Sequence, residues 1–188
     1  MVMPNLGHVW TRAEVLALPD DSNRYELIDG ELLVSPSPTW THQRAVGKLF
    51  LIIAPFVEAH GIGTTVFSPA DLTLQSGQLV QPDLFVAGMV GGKEPIDWSE
   101  FPVPLLVVEV LSPSTARYDR ITKRQRFQRS GVNEYWIVDT DARRIERWRP
   151  DARDAEAFAG TITWQPTADG PVLTIDLDWY FAKVWGET

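Results

Sequence analysis

Two carboxylates sit in sequence surroundings where an ionised group is costly. Asp83 lies in Val80-Gln81-Pro82-Asp83-Leu84-Phe85-Val86-Ala87, and Glu109 lies inside Pro104-Leu105-Leu106-Val107-Val108-Glu109-Val110-Leu111. An acid among strand-forming apolar residues must be paired or bind a metal to offset its lost hydration. On adjacent strands the two could share a hard cation. Mg²⁺ prefers oxygen donors and takes one or two protein carboxylates, completing its shell with water and substrate oxygens. Each acid taken alone also fits a strand end or an Arg partner, since structural ion pairs are common.

Several elements must position these acids. Residues 11–18 read as a short helix, with Thr11 and Glu14 spaced as a capping box and residues 19–22 as its end. Residues 24–35 read as a β-hairpin turning at Asp29-Gly30, a dipeptide suited to two positive φ values. A breaker at Ser35-Pro36-Ser37-Pro38 precedes a helix to about His60, capped by Thr39 or Thr41. Its apolar residues recur at helical spacing, and Pro55 should kink it or end its regular part. Strands are expected at 64–74 and 79–87, joined through Gln75-Ser76-Gly77-Gln78, with a surface loop over 88–103. The nearly unbroken apolar run 104–111 reads as a strand buried on both faces. A basic helix to about Ser130 follows, then a strand at 133–139 and its hairpin partner at 143–149. Further strands at 161–165 and 171–175 and a terminal helix complete the chain. The expected class is α/β or α+β, a mixed central sheet flanked by helices behind an N-terminal hairpin. The 188 residues suit a single domain, with a core over about 24–149 and a C-terminal extension over 150–188.

Composition narrows the chemistry. The absence of Cys excludes disulfides, zinc-thiolate sites and thiol catalysis. His8, His42 and His60 are too widely spaced for an HxxxH zinc pair. No apolar run reaches the roughly 18 residues of a membrane helix. The N-terminus lacks a signal-peptide pattern, so no membrane association and a cytoplasmic location are expected. The net charge is −8, yet segment 117–149 carries ten basic residues against five acidic ones. That segment reads either as a track for a phosphate backbone or as a solvated helix face with an exposed hairpin.

Read together, the motifs resemble a known family. Pro82-Asp83, then Glu109 on a buried strand, then a lysine on the next helix is the pattern of the PD-(D/E)XK nuclease superfamily. The wider match is to the bacterial Uma-type restriction-endonuclease family. It is carried by YELIDGELLVSPSPTWTH at 25–42, QPDLFV at 81–86, VVEVLSPST at 107–115 and YDRITKRQRFQRSGVNEYWIVD at 118–139. The superfamily lysine stands two residues after the glutamate, where this chain has Leu111, so Lys123 on the following helix is the substitute.

The resemblance implies a restriction-endonuclease-like fold and a metal-dependent endonuclease cutting phosphodiester bonds of DNA. Asp83, Glu109 and the Val110 carbonyl would hold Mg²⁺ or Mn²⁺. Lys123 would orient water or stabilise charge on the phosphate. Glu26 matches an acidic position near the site, though it equally fits a solvent-facing hairpin residue. Asp119, four residues before Lys123, would hold that lysine by an ion pair. His42 would contact phosphate or cap its helix, and Arg120 and Arg124 are further nucleic-acid contacts. Nucleases of this fold often act as homodimers. Two other readings stay open: a nuclease-like protein that only binds nucleic acid, and an oligomerising protein using Trp136, Trp148, Trp164, Trp179 and Trp185. The same tryptophans would suit a core.

Overall fold

The computed structural model describes residues 8–19, 21, 23–74, 78–97, 102–113 and 115–187. The expected link at 75–77, part of the loop over 88–103, and positions 20, 22 and 114 lie outside the described residues. The chain opens with α1 (Arg12–Leu16), where Thr11 and Glu14 complete the capping box. β1 (Arg24–Ile28) and β2 (Glu31–Ser35) form the hairpin, and Asp29 and Gly30 at its turn both have positive φ, 56° and 79°. α2 (Trp40–Ala59) runs through Pro55 instead of ending its regular part there. Pro55 is exposed, and Ile53, Ala54 and Val57 beside it are buried. Their burial offsets the missing backbone hydrogen bond.

The two long strands expected over 64–87 are four short ones. They are β3 (Gly63–Phe67), β4 (Leu72–Thr73), β5 (Leu79–Val80) and β6 (Leu84–Gly88). Prolines make the breaks: Pro69 separates β3 from β4, and Pro82 separates β5 from β6. A proline offers no ladder N–H, so a strand ends or changes partner there. Here the chain changes sheets. β5 joins a four-stranded sheet in the order β2-β1-β5-β4. β6 joins a six-stranded sheet with β7 (Leu106–Val110), β8 (Glu134–Asp139), β9 (Arg144–Trp148) and β10 (Glu156–Phe158).

The larger sheet has the order β10-β9-β8-β7-β6-β3 and is mixed. Its β7–β8 pair is parallel, and the others are antiparallel. A parallel pair needs a long crossover. It is supplied by one helical stretch: α3 (Ala116–Tyr118), a π-helical turn over Asp119–Lys123, and α4 (Arg124–Arg129). β11 (Thr161–Trp164) pairs with β12 (Leu173–Asp176), and α5 (Leu177–Trp185) follows. The fold is α+β around a mixed central sheet, as the sequence led one to expect.

Strand alternation sorts the residues into two cores. Leu84, Val86, Leu106, Val108, Trp136 and Val138 pack on one face with α2 and α5. Phe85, Val107, Tyr135 and Ile137 pack on the other with Phe127 of α4 and Ile28 of β1. Asp83 and Glu109 share the odd-numbered phase of Phe85 and Val107. They therefore point into the gap between the large sheet, the small sheet and the crossover helix.

Trp136 and Trp164 are buried, as a core reading requires, whereas Trp179 and Trp185 are 50% and 43% exposed. No helix among the described residues is long and apolar enough to cross a membrane.

Candidate active site

Register brings the two acids together. β6 pairs antiparallel with β7 through Leu84↔Val108, and one further step along that register sets Asp83 opposite Glu109. Like charges directly opposite on a sheet repel. The ladder stops at this point, and the Asp83 side chain takes over: Val110 N–H donates to Asp83 Oδ2 at 2.8 Å. The structure thus uses Val110 through its N–H.

Three cationic or ionisable side chains converge on the pair. Arg24 of β1 donates from Nη2 to Asp83 Oδ1 at 2.7 Å, and its Nη1 lies 4.0 Å from Glu109 Oε2. His42, in the first turn of α2, places Nε2 3.0 Å from Asp83 Oδ2. Lys123 Nζ lies 2.9 Å from Glu109 Oε1 and 2.9 Å from Glu26 Oε2. Asp119 Oδ1 follows at 3.6 Å from the same amine, and Asp119 Oδ2 accepts a hydrogen bond from Thr115. Glu26 Oε1 accepts the Gln81 N–H at 2.8 Å, a donor left open where the chain leaves the small sheet.

Asp83, Glu109, Lys123 and Glu26 form one cluster, and each is no more than 2% exposed. The solvent-facing alternative for Glu26 does not hold. His42 contacts Asp83 instead of capping its helix, a role Thr39 fills by accepting the His42 N–H. His42 Nδ1 is buried with no hydrogen-bond partner among the described residues. Asp119 and Lys123 are the first and last residues of the π turn, and both are buried.

Arg120 and Arg124 are not in this cluster. The Arg120 guanidinium binds Asp139 and Glu146 at 2.9 and 2.8 Å. Arg124 stacks on Trp148 at 4.4 Å and donates to the Arg120 carbonyl. Arg126, Arg143, Arg144, Arg147 and Arg149 are also paired with acids, so much of the basic stretch is neutralised locally. Sequence reading missed Arg24 altogether. Its only signal was a basic residue opening a strand that also carries a buried acid.

The electrostatics follow from burial. Burial disfavours the Asp83 carboxylate, but the His42 hydrogen bond and the Arg24 charge outweigh it and hold its pKa well below the usual range. Burial pushes Glu109 well up; Lys123 opposes this, while Asp83, Asp119 and Glu26 reinforce it. Asp119 is raised by burial too. Burial also works against the Lys123 charge, but Glu109, Glu26 and Asp119 together raise its pKa well above that of a free lysine. The surrounding acids thus favour the charged form of Lys123.

Four buried carboxylates (Glu26, Asp83, Glu109, Asp119) face two fixed cations (Arg24, Lys123), and the upward shifts of Glu109 and Asp119 express that excess of acids. All donors are hard oxygens, so charge and donor type fit one divalent ion of the Mg²⁺ class. Among the described residues, however, no three acidic or His side chains are grouped to hold a metal ion as they stand.

A cavity of about 460 Å³ opens on the cluster, with Glu26, Asp83, Glu109 and Lys123 at its lining and Thr39, Thr41 and Trp185 among its walls. A second cavity of about 440 Å³ shares Arg24, Pro36, His42 and Asp83 with the first.

A protein-family model, Uma2, described as putative restriction endonuclease, matches residues 12–178. No curated protein matches the chain. Among solved structures, the chain is similar to a putative nuclease belonging to DUF820 from Anabaena variabilis. That similarity has a TM-score of 0.70 at 20% identity and covers 93% of this chain and 99% of the other. At that identity the likeness shows a shared fold.

Proposed function

The chain belongs to the Uma2 family of restriction-endonuclease-like proteins, and from that premise we propose that it is a divalent-metal-dependent endonuclease acting on DNA at the Asp83–Glu109 cluster. The observation that carries this reading is the excess of buried carboxylates over fixed cations at the foot of an open cavity. A structural ion-pair cluster would balance its own charges, because unpaired buried carboxylates are costly.

Asp83 and Glu109 would hold the ion. When bound, such an ion polarises a phosphate oxygen and lowers the pKa of a coordinated water. The protein's own groups set the conditions. His42 and the Val110 N–H fix the Asp83 carboxylate plane. Lys123 is buried behind Glu109 and Glu26, so it acts through them, orienting both carboxylates and holding positive charge near the site. Glu26 is in turn held by the Gln81 N–H. The N-terminal turn of α2 borders the cavity at Thr39 and Thr41. Its free N–H groups suit a phosphate of the substrate.

The test is plasmid nicking with Mn²⁺ or Mg²⁺, comparing the parent with Asp83→Asn, Glu109→Gln and Lys123→Ala, beside single-stranded RNA as substrate. Nicking by the parent that is lost in the two carboxylate variants is expected. A parent that neither nicks nor binds Mn²⁺ in calorimetry overturns the reading. Mn²⁺ and DNA binding without cleavage would mark a nucleic-acid-binding relative that has lost catalysis.

A further inference from the structure

The donor set fits a divalent ion, yet its carboxylates are not grouped around a vacant point. The reason is a side chain. Arg24 places one guanidinium nitrogen 2.7 Å from Asp83 and the other 4.0 Å from Glu109. These are the two acids that register sets opposite each other at the end of the β6–β7 ladder. Nη1 also donates to the Gln81 carbonyl at 3.1 Å, a neutral acceptor. We propose that Arg24 is a resident cation standing in the divalent-ion position between Asp83 and Glu109, and that it must swing aside for the ion to bind. Arg24 thereby sets the ion affinity of the site. This rests on the metal-dependent reading above and deepens it.

Three features support the displacement. The Arg24 side chain is 18% exposed, whereas Asp83 and Glu109 are 2% and 3% exposed, so of the three it is the one that reaches solvent. Arg24 lines both cavities, and the second, about 440 Å³, gives it room to move without crossing the cluster. That second cavity also has Asp21 and Asp71 in its lining, so the guanidinium keeps acidic neighbours there. Lys123 does not compete in the same way. It sits at the other oxygen of Glu109, buried among three acids. The planar fork of arginine sets a separate nitrogen toward each of the two acids, where a lysine at 24 would present a single nitrogen. Proton loss does not free the position either, because arginine is always charged.

The experiment is Mn²⁺ titration by calorimetry on the parent, Arg24→Gln and Arg24→Lys, without nucleic acid. Arg24→Gln is expected to bind Mn²⁺ roughly tenfold more tightly than the parent, because a unit positive charge is removed from beside the ion position. Arg24→Lys keeps the charge and loses the fork, and is expected to bind more tightly than the parent as well. Equal or weaker binding by Arg24→Gln overturns the proposal. So does an Arg24→Lys affinity equal to the parent's beside a tighter Arg24→Gln, since charge at a distance would then explain the effect. Should Arg24→Gln not fold, Arg24→Lys decides alone: tighter binding supports the proposal, and equal or weaker binding overturns it. If neither the parent nor the variants bind Mn²⁺, the metal-dependent reading itself fails.

Discussion

Lys123 of the crossover helix meets Glu26 of the small sheet at 2.9 Å, and the same amine lies 2.9 Å from Glu109 of the large sheet. One buried cation thus ties together three structural units. Replacing it with methionine leaves Glu26, Glu109 and Asp119 facing one another in a low-dielectric pocket. Removing one partner of a buried ion pair typically costs about 3–5 kcal/mol. Lys123→Met is therefore expected to lose stability of that order in urea denaturation at pH 7. The loss should shrink as the pH is lowered and the carboxylates protonate.

Asp83 gives a pH signature of the opposite kind. Its folded-state pKa is depressed, so the stability it contributes is present above the unfolded value of about 3.9 and lost as pH falls toward the folded value. Asp83→Asn is expected to cost on the order of 3 kcal/mol at pH 7. Its stability gap to the parent should narrow below pH 4. A gap that stays constant from pH 7 to pH 2 would show that the carboxylate charge contributes nothing.

Glu26→Gln separates positioning from binding. Gln can still accept the Gln81 N–H but no longer draws the Lys123 amine with a full charge. Loss of such a supporting group typically costs roughly 10–100-fold in metal affinity or activity. Mn²⁺ affinity is expected to fall within that range while the circular dichroism spectrum is unchanged.

The tryptophans divide by burial. Trp164→Ala removes a fully buried ring from the α2–α5 core and is expected to destabilise by about 3–5 kcal/mol. Trp179→Ala removes a half-exposed ring and is expected to stay within about 0.5 kcal/mol of the parent. If Trp179→Ala instead lowers the sedimentation coefficient, the exposed face of α5 is an oligomer interface.

Legibility in the sequence followed the range of the interactions. The Asp29-Gly30 hairpin and the Thr11 box are local, and both are found where their residues place them. The acids at 83 and 109 stood out because strand alternation around them is apolar. Arg24 did not stand out, because its partner is 59 residues away and nothing in Arg-Tyr-Glu-Leu-Ile points to it. The small sheet was hidden for the same reason: β4 and β5 are two residues each, too short for any period to show. Local charge counting left two readings open over 117–149, because the acids that pair with Arg126, Arg143 and the Arg147–Arg149 pair come from 29, 187 and 156, outside that segment. The lysine's place off β7 leaves Leu111 to pack against the apolar face instead.

The π turn at Asp119–Lys123 amounts to one surplus residue threaded into an otherwise α-helical path. The wide turn takes up that residue locally, so the helix before and after it keeps the register of an uninterrupted one. Deleting one residue inside the turn would leave Phe127 in its pocket, and the change would fall on Asp119 and Lys123, set three residues apart in place of four. A descendant of this chain could therefore shed that residue and keep its core, at the expense of the geometry of its acidic site.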